Sequence, residues 1–74
     1  MKFDLTNHEI ELLNSQNIQI QSDREYTDDE ALDLVDLVRD VEISFSQLPT
    51  SQGKQLYKTY GSLADKMQGQ IPEN

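Results

Sequence analysis

Ile10 and Leu13, with Leu12 beside them, give the first stretch of the chain one apolar side at helical spacing. Thr6-Asn7-His8-Glu9 precedes them as a capping box: the threonine accepts from the N–H three residues on, and the glutamate reaches back to the cap's own N–H. Leu5 and Ile10 are spaced as a hydrophobic staple. The pattern predicts a short helix over about 7–15 that fades between Ser15 and Asn17. Ile18-Gln19-Ile20-Gln21 then alternates apolar and polar, which suits an extended segment turning two isoleucines toward a core. No second strand is evident to pair with it, so residues 17–26 read as an ordered connector with at most one β bridge.

A second capping box, Thr27-Asp28-Asp29-Glu30, puts three acids in a first turn, where the positive end of the helix dipole favours them. Neither Gly nor Pro intervenes before Pro49, which predicts one long helix over about 28–46. Pro49 pushes Leu48 out of helical geometry, and the short break around it implies an antiparallel neighbour. That third helix is expected over about 51–68, with Leu56, Tyr57, Tyr60, Leu63, Ala64 and Met67 as its apolar side and Ile71 continuing it. Gly69 and Pro72 mark its end. Gly53 falls near its start, where fraying is tolerated; Gly61 either permits close approach of another backbone or weakens the helix. The expectation is an all-α three-helix bundle, one small domain over 1–74 with loose ends at 1–3 and 72–74.

On the long helix, about 100° per residue gathers Asp29, Asp33, Asp36 and Asp40 into a strip roughly 60° wide. Ala31, Leu34, Val35, Val38, Val41 and Phe45 occupy the opposite, core-facing arc. Leu37 borders the acidic strip on one side, Leu32 and Ile43 on the other. The first helix and the connector are expected to cover one flank and the third helix the core face; a border left uncovered would belong to a partner surface. Glu42 falls inside the apolar arc. One reading sets it at the core margin, its carboxylate reaching solvent or bonded to Tyr57, Tyr60 or a lysine; another makes it a polar contact with a partner or a second chain.

Seventy-four residues allow a single domain with a marginal core, and the absence of cysteine excludes disulfides and thiolate metal sites. Fourteen acids against six bases give a net charge of -8, and twelve of those acids lie in residues 1–45. Such a balance disfavours direct nucleic-acid binding and anionic membranes and points to a protein partner of basic character, while a homodimer remains compatible with it. No apolar run approaches the roughly 18 residues of a membrane span, and Met1-Lys2-Phe3-Asp4 lacks a signal-peptide pattern, so a soluble cytoplasmic protein is expected.

Candidate chemistry changes little. Asp29/Asp33 and Asp36/Asp40 have the i, i+4 spacing that can present two carboxylates to a hard cation, but no second acidic helix, EF-hand loop or H-E-x-x-H pattern completes a shell. The chain superficially resembles all-helical nucleotide pyrophosphatases, yet its third helix offers only Asp65 where such sites need a paired acidic motif. His8, the lone histidine, reads as a solvent-facing first-turn residue. With no cysteine nucleophile and no serine in a recognisable elbow, we expect no catalysis, metal or cofactor. Tyr57 and Tyr60 are expected in or at the edge of the core, and Lys54 and Lys58 on a solvated face.

"EYTDDEALDLV", following a short capped helix and followed by a lysine- and tyrosine-bearing third helix, resembles small acidic uncharacterised proteins of Gram-positive bacteria, a likeness that implies no activity. "YTDDEALDLVDLV" is also similar to the start of a helix in colicin-type immunity proteins, acidic helical bundles that neutralise nucleases. The paired tyrosines followed by proline that form that family's binding centre are absent here, so no functional residue is carried over. Together these features point to a small acidic protein-protein interaction or regulatory module using Asp29, Asp33, Asp36, Asp40, Leu32, Leu37 and Ile43. The alternatives are a nucleic-acid mimic or immunity-type inhibitor of a basic partner, and a self-associating structural protein.

Overall fold

Thr6 and Thr27 each stand just outside a helix in extended backbone and accept a hydrogen bond from the N–H of Glu9 and Glu30, both at 3.1 Å. Each glutamate returns the bond to its threonine N–H, at 2.8 and 3.0 Å. The computed structural model describes residues 1–72, and these caps open its first two helices, α1 (Asn7–Ser15) and α2 (Asp28–Ser46). Thr50 caps α3 (Ser51–Gln70) by accepting from the Gly53 N–H at 3.0 Å, without a reciprocal glutamate. The result is an all-α three-helix bundle with no strand among the described residues.

α1 ends in a Schellman motif. Asn17 takes the left-handed conformation (φ 61°), its N–H donates to the Asn14 carbonyl, and the Ile18 N–H donates to the Leu13 carbonyl, each at 3.0 Å. Leu13 and Ile18, the apolar pair this motif brings together, are both buried. Residues 18–21 belong to no helix or strand, and Ile18 and Ile20 are buried while Gln19 and Gln21 are exposed, the alternation expected of them.

α2 and α3 pack antiparallel, with Gly53 beside Phe45 and Leu48, Gly61 beside Glu42, and Asp65 beside Arg39. Their seam holds the core: Ala31, Val35 and Val38 from α2 meet Tyr60, Leu63, Ala64 and Met67 from α3, all nearly inaccessible to water. Phe45 stacks on Tyr60 with ring centres 5.5 Å apart. α1 joins the seam through Leu13, and the Tyr60 hydroxyl donates to the Leu12 carbonyl at 2.9 Å. Lys66 reaches from α3 to Glu9 at 2.8 Å.

Three expectations need correction. Residues 1–3 are not loose: Phe3 is 1% exposed, its ring centre 5.7 Å from that of Tyr26. The Met1 ammonium donates to Glu25 Oε1 (2.7 Å) and the Tyr26 carbonyl (2.6 Å), and the Tyr26 N–H donates to the Met1 carbonyl (2.7 Å). A domain this small recruits the terminal aromatic to complete its core. α3, for its part, runs through Gly69 to Gln70 and stops at Ile71, whose extended backbone (φ -78°, ψ 126°) is what a following proline imposes. Pro72 is therefore the terminator, and Pro72 itself is exposed; the remaining residues expected to be loose, 73–74, lie outside the described residues. Gly53, finally, is no frayed end. It is buried, and a side chain there would collide with the Cβ of Leu48 and its carbonyl.

Candidate partner-binding face

α2 holds one face toward the core through Ala31, Val35 and Val38, with Leu34, Val41 and Phe45 partly buried around them. The opposite face carries Asp29, Asp33, Asp36 and Asp40, all exposed. From Asp29 to Asp40 is eleven residues, about 17 Å of helix at 1.5 Å per residue. None of the four makes a salt bridge within the described residues.

The one base in α2, Arg39, does not neutralise the strip. Its guanidinium turns onto α3, donating to Asp65 Oδ1 at 3.0 Å and Gln68 Oε1 at 2.6 Å, with Glu42 Oε1 at 3.8 Å. The strip thus keeps its full charge at a distance over which water and salt provide the only screening. Glu30, at the head of the same helix, is held below the usual carboxylate range by the Thr27 N–H and hydroxyl, against a small opposing effect of burial and with help from Arg24 at 3.7 Å.

The apolar borders remain uncovered on both sides: Leu32 is 44%, Leu37 48% and Ile43 54% exposed. The expected cover from α1, the connector and α3 reaches the core face and stops short of them.

Glu42 sits at the core margin, its side chain 17% exposed, but its ionic partner is Arg39 rather than Tyr57, Tyr60 or a lysine. The space it uses exists because position 61 is glycine: the close approach that Gly61 permits is to the Glu42 side chain, not to another backbone. Tyr57, expected in or at the edge of the core, is 42% exposed and joins Leu48 (46%) as a further uncovered apolar residue near the α2–α3 turn. Leu56 rather than Tyr57 packs against the core there, and nothing among the described residues covers Tyr57. Lys54 and Lys58 are exposed.

Among the described residues no three His, Asp or Glu side chains are arranged to hold a metal ion, and no helix is long and apolar enough to cross a membrane. His8 is exposed in the first turn of α1. No protein-family model matches this chain, and neither a curated protein nor a solved structure matches it.

Proposed function

We propose that this chain is a non-catalytic cytoplasmic module that binds a basic protein through the outer face of α2. The observation that carries this reading is the strip of Asp29, Asp33, Asp36 and Asp40, unpaired within the described residues and bordered by half-exposed Leu32, Leu37 and Ile43. The two parts divide the work of binding: unpaired carboxylates steer and orient a cationic surface, and the apolar borders exclude water once it has docked. An inhibitor of a nucleic-acid-binding protein is a narrower form of the same reading, with the carboxylates standing in for phosphates.

The test is a pull-down from the native cytoplasm at low and high salt, with wild type beside Asp33→Asn/Asp36→Asn. A partner retained by wild type at low salt and lost by the variant supports the reading. Retention of the same partner by both at every salt concentration removes the acids from it.

Self-association is the second reading, favoured by the exposure of Leu48 and Tyr57 away from the strip. It predicts a dimer in sedimentation at high protein concentration that Leu48→Ser/Tyr57→Ser dissolves.

A further inference from the structure

α1 and the amino-terminal arm cover one side of the α2–α3 pair and leave the other bare. At about 100° per residue, the α3 side chains that bond to them, Lys66 (to Glu9) and Gln70 (to Asp4), lie roughly 80–120° from Tyr60 in one sense. Gly61, Asp65 and Gln68 lie roughly 80–140° from it in the other sense, and these three meet Glu42 and Arg39 of α2. The Arg39 and Glu42 contacts therefore close the seam on the side away from α1. Leu32 and Ile43 fall within about 40° of Arg39 around α2, and Tyr57 within about 40° of Gly61 around α3. All three half-exposed side chains thus border this bare side.

Two rows of like spacing run along it. On α2, Asp36 and Arg39 sit between Leu32 and Ile43; on α3, Lys54 and Lys58 precede Gly61 and Asp65. Each row follows i, i+4, i+7, i+11 and stays within about 60° of arc. With Glu42 at the seam, the side holds three acids (Asp36, Glu42, Asp65) and three bases (Arg39, Lys54, Lys58). The chain has six bases and a net charge of -8, so half of its bases serve a surface whose own charge is zero. Asp36, Lys54 and Lys58 are exposed and form no ion pair within the described residues.

We propose that this side docks on the same side of a second copy, giving a two-fold dimer in which α2 of each copy lies along α3 of the other. Charge selects the occupant. Over the rest of the surface two copies repel one another, whereas here the charges balance and the acid-bordered row of α2 meets the lysine-bearing row of α3. A basic protein gains more from the outer face of α2, where no base competes with it, and an acidic one gains nothing from a neutral surface. Leu32, Ile43 and Tyr57 then supply the apolar contact that a monomer leaves in water. Self-association, the second reading of function, is the premise here, and the bare side gives it a surface.

Sedimentation of the wild type between about 10 µM and 1 mM should show a monomer–dimer equilibrium with a dissociation constant on the order of 0.1 mM, as a small interface allows. Lys58→Glu leaves the side with two surplus negative charges and Asp36→Lys with two surplus positive ones; both positions are exposed, so the fold is kept. Each variant alone should dimerise at least about tenfold more weakly. That holds for Asp36→Lys even though it removes two units of the chain's net negative charge, which would strengthen any nonspecific association. An equimolar mixture of the two should associate within about threefold of wild type, because a negative side then meets a positive one. A wild type monomeric throughout would overturn both self-association and this surface, leaving the bare side to a foreign partner. A wild-type dimer that both variants form equally well, or variants that stay monomeric when mixed, would overturn the surface alone.

Discussion

Glu42 lays its carboxylate over Gly61, in the space that a side chain at position 61 would fill. What would have to move for an alanine is the far end of a flexible side chain whose ion pair with Arg39, at 3.8 Å, is loose and partly exposed. Glycine inside a helix costs about 1 kcal/mol against alanine. Gly61→Ala should therefore stabilise the protein, by up to about 1 kcal/mol in urea unfolding. A net loss would mean that the Glu42 carboxylate is anchored more firmly than this ion pair explains.

Gly53 is the opposite case, although it too lies in α3. A methyl group there meets the Leu48 Cβ at 2.7 Å and the Leu48 and Phe45 carbonyls at 3.1 and 3.3 Å, none of which can swing aside. Gly53→Ala should destabilise by about 1–3 kcal/mol despite its better helix propensity. Unfolding midpoints of the two variants moving in opposite directions is the outcome that checks both.

Acid should loosen the molecule below about pH 4.5. For Glu9, burial disfavours the charged form, but hydrogen bonds from Lys66 and from the N–H and hydroxyl of Thr6 outweigh it and lower the pKa from its usual 4.5. Glu25 is lowered by the hydrogen bond and charge of the Met1 ammonium, and Glu30 by the Thr27 N–H and hydroxyl. Because the folded values lie below the unfolded one, the stabilisation is present above about pH 4.5 and is lost as pH falls through the folded values. A urea midpoint measured at intervals from neutral pH downward should hold and then fall, and Glu9→Gln should shrink the fall. A Glu9→Gln profile identical to wild type would contradict it.

Two hydroxyls converge on the carbonyl of Leu12: Ser15 at 2.6 Å and Tyr60 at 2.9 Å. Tyr60→Phe alone should cost about 0.5–1.5 kcal/mol, since Ser15 still satisfies the acceptor. Adding Ser15→Ala leaves neither hydroxyl on it, and the double variant should lose about 1 kcal/mol more than the sum of the singles. Simple additivity in the double-mutant cycle would show the two bonds to be independent.

Phe3→Ala probes whether the amino-terminal arm belongs to the core. Truncating a buried phenylalanine costs about 3–5 kcal/mol, against about 4–11 kcal/mol for a domain of this length. The variant should lose from about a quarter to all of that stability and unfold at clearly lower urea, whereas a loose terminus would tolerate the change without effect.

The helix bounds were readable because their signals are local. A capping box spans four residues, Pro49 acts on its own neighbour, and the stripe of α3 repeats within each turn. What escaped depends on residues far apart in the chain. Phe3 is placed by Tyr26, Gly53 is required because Leu48 folds back over it, and Arg39 is drawn away from the acidic strip by Asp65 and Gln68. Gly69 looked like a stop because glycine often follows a helix, yet Pro72 alone supplies the steric reason to end one here. The strip and its borders were foreseen as a pattern on one helix. Whether the borders would be covered stayed open, since it depends on how far α1 and α3 extend around α2.

Asp4 and Gln70 exchange two hydrogen bonds, Asp4 N–H to Gln70 Oε1 at 2.7 Å and Gln70 Nε2 to the Asp4 carbonyl at 3.1 Å, across 66 positions of chain. A ribosome releases Asp4 well before Gln70. The α2–α3 hairpin closes over a short loop and can collapse as soon as it emerges, but the Asp4 arm has nothing at Gln70 to fasten to until the last turn of α3 is out. The arm is thus made before all three helices and secured only after the last of them.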